Sequence, residues 1–163
     1  MRRPSRRRPR PVLPLAPGER LLAWASEAEP GGDVVGASRE ALYLPQRLGW
    51  EQVAAAEWDA ETSTLRVVEV ADFGAPAPVH LRRLAEAGRL LQLVRERVTA
   101  SIVLQRHVPV ADRSVRVLAR RPLGAAAELS WFVEYDDGLD PADPAVAEVV
   151  DRALATARAD VGV

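Results

Sequence analysis

An α+β fold is what this 163-residue sequence predicts: an antiparallel β-barrel or sandwich followed by a helix, then extended by a β-hairpin and a second helix. Three observations carry that expectation. Short apolar and β-branched runs separated by turn residues fill the first part of the chain. The hydrophobic period then becomes helical. Near the C-terminus it alternates with period two before turning helical again. Composition agrees: 48% hydrophobic and 28% charged residues suffice for one domain, or one domain with a small appendage.

The elements follow in order. Gly18-Glu19 opens the folded region, and Leu21 to Trp24 form a first strand, ended by the turn residues Glu27-Ala28-Glu29-Pro30-Gly31-Gly32. Val34-Val35 starts a second strand. Ser38-Arg39-Glu40 is a tight connection to a third, Ala41 to Leu44, which Pro45 stops. Leu48-Gly49-Trp50 is a fourth extended piece. Gln52 to Asp59 has the alanine content of a helix, but Trp58 and the flanking turns favour strand. Asp59 to Ser63 is a polar hairpin loop before the β-branched run Thr64 to Val70.

Beyond the loop Gly74 to Pro78, Leu81, Leu84, Leu91, Val94 and Val98 recur at helical spacing and predict an amphipathic helix over 80–99. Ile102-Val103-Leu104 can extend that helix or begin a strand, and Val108-Pro109 should stop either. Val115, Val117 and Ala119 alternate with Arg116, Leu118 and Arg120; Leu129, Trp131, Val133 and Tyr135 alternate with Ser130, Phe132 and Glu134. With Pro122-Leu123-Gly124 between them, these make a hairpin. Asp143-Pro144 supplies an N-cap and a proline at the first helical position. Val146, Val149, Val150, Ala153, Leu154 and Ala157 then form one apolar face, with Gly162 just beyond. The expected shared core is Leu21, Trp24, Leu42, Leu65, Val67, Leu91, Val94 and Trp131.

The formal net charge of −1 conceals an asymmetry. Six of the 22 basic residues lie in the first ten positions, so the remainder carries sixteen basic against 23 acidic residues, a net of −7. Every basic side chain is arginine, which excludes Schiff-base and P-loop lysines. The absence of cysteine excludes disulfides, thiolate metal sites and cysteine nucleophiles, and two histidines exclude a multi-histidine metal site. No metal or cofactor is expected. No apolar run reaches the length that spans a bilayer. VLPL at 12–15 is too short and proline-broken for a secretory signal, so a cytoplasmic protein is the default expectation.

Residues 1–17, with prolines at 4, 9, 11, 14 and 17, read as an extended, disordered arm. Three readings of it stay open. Arg2, Arg3, Arg6, Arg7, Arg8 and Arg10 can neutralise phosphates of nucleic acid or anionic lipid, as the sole large positive field on an acidic protein. The RxxPxxP run from Arg8 to Pro14, with Pro11 and Pro14, suits an aromatic groove on a partner. Or the arm is merely solvated, or folds back on its own acidic body. Among the four tryptophans, Trp24 and Trp131 lie on the apolar phase of their strands. Trp50, beside Gly49 and a loop, is the one expected to be exposed and to mark a partner surface.

The run GERLLAW…VVGASREALYLPQRLGWEQVAAAEWD…STLRVVEV resembles a bacterial pleckstrin-homology-like, or GRAM-like, domain over 18–100. The resemblance implies a strand meander with a C-terminal helix plugging the sheet, and leaves the hairpin and helix of 101–163 as an extension packed on it. The whole chain also resembles a family of short, uncharacterised actinobacterial proteins, which implies no activity. Phosphoinositide binding, which the domain resemblance suggests, is opposed by the acidic first loop Glu27 to Asp33, since lipid-binding members carry basic residues there.

Glu134, Asp136, Asp137, Asp140 and Asp143 are explained by a turn and a helix cap, without EF-hand spacing. His107 lies near Ser and Asp residues in sequence, but no nucleophile elbow or phosphate loop accompanies it. The reading is therefore a non-enzymatic interaction or scaffold module with a protein partner. The alternative is weak nucleic-acid or anionic-membrane association through the arginine arm.

Overall fold

The computed structural model describes residues 9–124 and 128–163. Its N-terminal part is a four-stranded antiparallel meander, β1 (Ala23–Ser26), β2 (Val34–Ala37), β3 (Ala41–Tyr43) and β4 (Arg47–Gly49), in that spatial order. A 3₁₀ turn at Trp50–Gln52 leads into a three-stranded meander, β5 (Val53–Asp59), β6 (Thr64–Glu69) and β7 (Val79–Arg83). Helix α1 (Gly88–Ser101) follows. A third antiparallel sheet, ordered β10-β9-β8, comprises β8 (Ile102–Val110), β9 (Arg113–Arg120) and β10 (Ser130–Tyr135), and α2 (Pro144–Val161) packs on it.

The expected α+β class is present, but the barrel does not close. Three separate sheets take its place. Along one seam β1 and β7 are stitched by a bridge between Glu27 and Leu84, with Ala28 N–H donating to Arg83 O at 2.8 Å and Ala85 N–H to Ser26 O at 3.0 Å. At the other corner the chain turns from β4 into β5 through the 3₁₀ turn.

The helix expected over 80–99 begins later. Residues 79–83 form strand β7, registered from Val68↔Val79 to Thr64↔Arg83 on β6. Leu81 is 60% exposed whereas Leu84 is buried, so their three-residue spacing is a coincidence of strand end and turn rather than one helix face. Gly88 has φ +46°, a conformation that breaks any continuous helix through 80–99. The helix thereby presents Leu90 and Val94 to the core, and Leu91 is only half-buried.

Of the segment 101–110, Ser101 ends α1 and the rest is strand β8, which Pro109 does not stop. Strand β8 lies at the edge of its sheet, where a proline costs no ladder bond on the solvent side. The β9–β10 hairpin and α2 lie as the alternation and the capping residues indicate. Asp143 accepts a hydrogen bond from Ala145 N–H at 2.9 Å, and Gly162 closes the helix.

The core is divided. Ala25, Val35, Leu42, Trp50, Val53, Leu65, Val67, Leu84, Leu90 and Val94 form one cluster between the first two sheets and α1. Val115, Val146 and Val150 form a second, and Val117, Ala153 and Ala157 a third, both beneath α2. Trp131 belongs to this last group, with Arg158 stacked 5.8 Å from its ring centroid, and not to the core expected to be shared with Leu42. Trp24 is half-buried.

Candidate functional site

Trp50, expected at the surface, is fully buried, and its Nε1–H donates to Ser38 O at 3.2 Å. The 3₁₀ turn after Gly49 swings the indole beneath the first sheet, so it offers nothing to a partner. Of the arm, Arg2, Arg3, Arg6, Arg7 and Arg8 lie outside the described residues. The part that is described is seated on the body. Arg10 Nη2 donates to Leu21 O at 2.8 Å, and Ala16 N–H donates to the Tyr43 hydroxyl at 3.0 Å. Leu13 lies so close to β2 that a Cβ on Gly36 would come within 2.3 Å of it. Pro11 is half-buried and Pro14 exposed.

A carboxylate anchors this docking. The Glu19 side chain, only 5% exposed, accepts from Tyr43 Oη at 2.6 Å, Ser38 Oγ at 2.8 Å and Arg47 Nε at 2.6 Å. Burial alone would raise its pKa, but these donors with the Arg47 charge outweigh it and hold Glu19 below the ordinary carboxylate range. Burial and the hydrogen bond to Glu19 push the Tyr43 phenol up.

The contact between the N-terminal and C-terminal parts of the fold centres on Arg120, a residue the alternation of β9 had placed opposite the apolar face. It is buried. Its Nη1 donates to Val53 O at 2.9 Å and Ser101 Oγ at 3.3 Å, and Nη2 to Ala54 O at 3.4 Å. Ser101 in turn donates to Val98 O at 2.7 Å. The guanidinium thus sits against the C-terminal turn of α1, where the helix carbonyls carry partial negative charge. Burial lowers its pKa, with Glu134 opposing and Arg116 adding to the effect.

Beside Arg120 runs a groove of about 460 Å³ between the chain after β6 and the outer edge of β10. Phe73, 58% exposed, meets the Tyr135 ring edge-on at 4.8 Å between centroids, and Trp131 and Phe132 add to the wall. The groove continues past Pro78 and Pro122. Glu69 and Asp72 line both stretches, with Glu134 on the first and Glu51 on the second. Burial, with the Asp151 carboxylate, raises the Tyr135 pKa, so the phenol stays neutral.

A second hollow, of about 440 Å³, opens on the other side of α1. Arg10, Arg20, Arg89 and Arg97 line it with Leu22, Leu93, Gln92 and Glu96. The arm is therefore not the sole source of positive field. Arg20, Arg89 and Arg97 come from the body, and their dispersal along the sequence conceals them.

At the far end of the third sheet, Asp136 Oδ2 accepts from Ser114 N–H at 2.7 Å and Ser114 Oγ at 2.8 Å, and these bonds lower its pKa. His107 shares a hollow of about 410 Å³ with Ser114 and Asp136, but its Nε2 lies 3.3 Å from Gln105 Nε2, and no hydrogen bond joins it to either among the described residues. Asp140 and Asp143 accept from Ala142 and Ala145 N–H, as turn and cap residues do. Among the described residues no group of three or more His, Asp or Glu is placed to hold a metal ion. No helix of the described residues is long and apolar enough to cross a membrane. Comparison with protein-family models, with curated proteins and with solved structures finds no match to the chain.

Proposed function

We propose that the chain is a non-enzymatic interaction module, a pleckstrin-homology-like unit (β1 to α1) whose C-terminal extension (β8 to α2) completes a protein-binding groove. The meander order β1-β2-β3-β4, then β5-β6-β7, followed by a helix that sends Leu90 and Val94 into the core, supports the first half of this reading. The observation that carries the second half is the exposed Phe73 ring against Tyr135 at the open edge of β10. Large aromatics held by a rigid scaffold are the usual anchors of protein interfaces.

The occupant that fits is an extended segment of a partner protein. It pairs its backbone with the outer edge of β10 and sets an apolar side chain among Phe73, Phe132 and Tyr135. Asp72 favours a basic residue beside that side chain, whereas Glu134 and Glu69 are engaged by Arg116 and His80. A photo-crosslinking residue placed at Phe73 tests this in the protein's native cells, with the equally exposed Leu81 as control. The expected result is a discrete protein adduct from position 73 alone, lost when Phe132 and Tyr135 are both changed to Ala. Equal labelling from both positions, or none, contradicts it.

A further inference from the structure

We infer that the arginine-lined hollow beside α1 is a binding site for the phosphate backbone of duplex nucleic acid, a property separate from the aromatic groove. Three segments converge there. Arg10 comes from the seated N-terminal stretch, Arg20 from the approach to β1, and Arg89 and Arg97 from one side of α1. Elsewhere on the molecule six of the thirteen other described arginines are ion-paired: Arg47 with Glu19, Arg66 with Glu57, Arg82 with Glu27, Arg106 with Asp160, Arg116 with Glu134 and Arg152 with Glu148. No described carboxylate comes within ion-pair distance of Arg10, Arg20, Arg89 or Arg97. The carboxylate in the lining, Glu96, accepts instead from Gln92 Nε2 at 2.8 Å along the helix.

Arg97 Nε is buried and has no hydrogen-bond partner among the described residues. Four like charges around one hollow repel one another, a cost that an anion removes.

The chemistry favours a duplex backbone over the other polyanions. Among the described residues no aromatic ring lines the hollow, so unstacked bases have no platform and a membrane has no interfacial anchor. A concave cleft admits a row of phosphates, whereas a flat headgroup layer reaches only its rim. Five further arginines precede Arg10 in sequence. Without the first ten residues and Arg20, Arg89 and Arg97, the chain carries 13 basic against 23 acidic residues, a net of −10 that repels a polyanion from the other faces and so orients it.

The test uses the full chain and a short duplex DNA, with affinity followed from about 50 to 200 mM salt. The triple variant Arg20→Gln/Arg89→Gln/Arg97→Gln should weaken binding at least tenfold at the lowest salt and reduce the log–log salt slope by about 2.7, at roughly 0.9 per lost phosphate contact. The same loss should appear when Arg2, Arg3, Arg6, Arg7 and Arg8 are already Gln. Arg66→Gln/Arg152→Gln, on paired arginines, should change nothing. Arg89→Glu, a single exposed position, keeps the test valid should the triple variant fold poorly, and it should weaken binding in the same sense. Three results overturn the inference: no duplex binding by the native chain, a slope indifferent to the triple variant, or tighter binding to phosphatidylserine-containing vesicles that the triple variant abolishes.

Discussion

The part of the fold from β1 to α1 and the part from β8 to α2 bury their aromatic residues differently. In the first, Trp50 and Tyr43 are fully buried while Trp24 and Trp58 are half-buried and Phe73 is exposed; the two buried polar tips are each satisfied by a neighbour, Ser38 O for the indole and Glu19 for the phenol. In the second, Trp131, Phe132 and Tyr135 are all half-buried, and the apolar residues beneath α2 form two small clusters rather than one. A three-stranded sheet under one helix has too little interior to bury its aromatics fully. The extension therefore gains stability by docking on the larger part, through Arg120, and its leftover aromatic surface, with Phe73 of the larger part, becomes the wall of a groove. The difference separates aromatics that hold the fold from aromatics that remain available to a partner.

Substitutions sharpen that contrast. Trp50→Ala should cost about 3–5 kcal/mol, and Leu90→Ala about 2–5 kcal/mol, as large-to-small changes in a closed core do. Trp131→Ala should cost roughly half as much as Trp50→Ala, because its ring is half-exposed and what it loses is contact with Val117, Ala153 and the Arg158 guanidinium. Urea denaturation of the three variants checks the order. Equal costs for the two tryptophans would erase the distinction between the parts.

A smaller effect is expected where the N-terminal stretch meets the first sheet. Glu19→Gln should cost about 1–3 kcal/mol, since Tyr43, Ser38 and Arg47 lose a charged acceptor. The folded pKa of Glu19 is depressed, so its contribution is complete above the unfolded value near 4.5 and disappears as pH falls through the folded value. Stability of the native chain should therefore decline on acidification below about pH 4.5 more steeply than that of the Gln variant. Parallel pH profiles would remove Glu19 from the docking of the N-terminal stretch. Smallest of all, Phe73→Ala should leave stability within about 0.5 kcal/mol, because its ring is largely solvent-exposed. A larger loss would make Phe73 a structural residue.

The sequence made the local devices legible. Asp143-Pro144 and Gly162 bound α2, and period-two alternation marked β9 and β10, because capping and pleating depend on adjacent residues. It misled where non-local pairing decides. Leu81 and Leu84 have helical spacing, but the ladder to β6 claims residues 79–83, and this shift moves the buried position from Leu91 to Leu90. Trp50 looked exposed beside a glycine because nothing local reveals the turn that buries it.

For the candidate surfaces, Arg10 stood out within the arginine run, whereas Arg20, Arg89 and Arg97 are separated along the chain and meet only after folding. Arg120 left one trace. Leu118 shares its face of β9, a sign that this face is not purely solvated.

Native-state hydrogen exchange on the native chain and on Arg120→Met tests most directly whether the extension depends on the larger part through that one side chain. Methionine keeps much of the volume but none of the donors to Val53 O, Ala54 O and Ser101 Oγ. Losing bonds from a charged donor should lower the opening free energy of β8, β9, β10 and α2 by about 1.5–3 kcal/mol, while β1 to β7 keep their protection. Protection unchanged in the third sheet, or lost equally across the whole chain, would contradict that dependence.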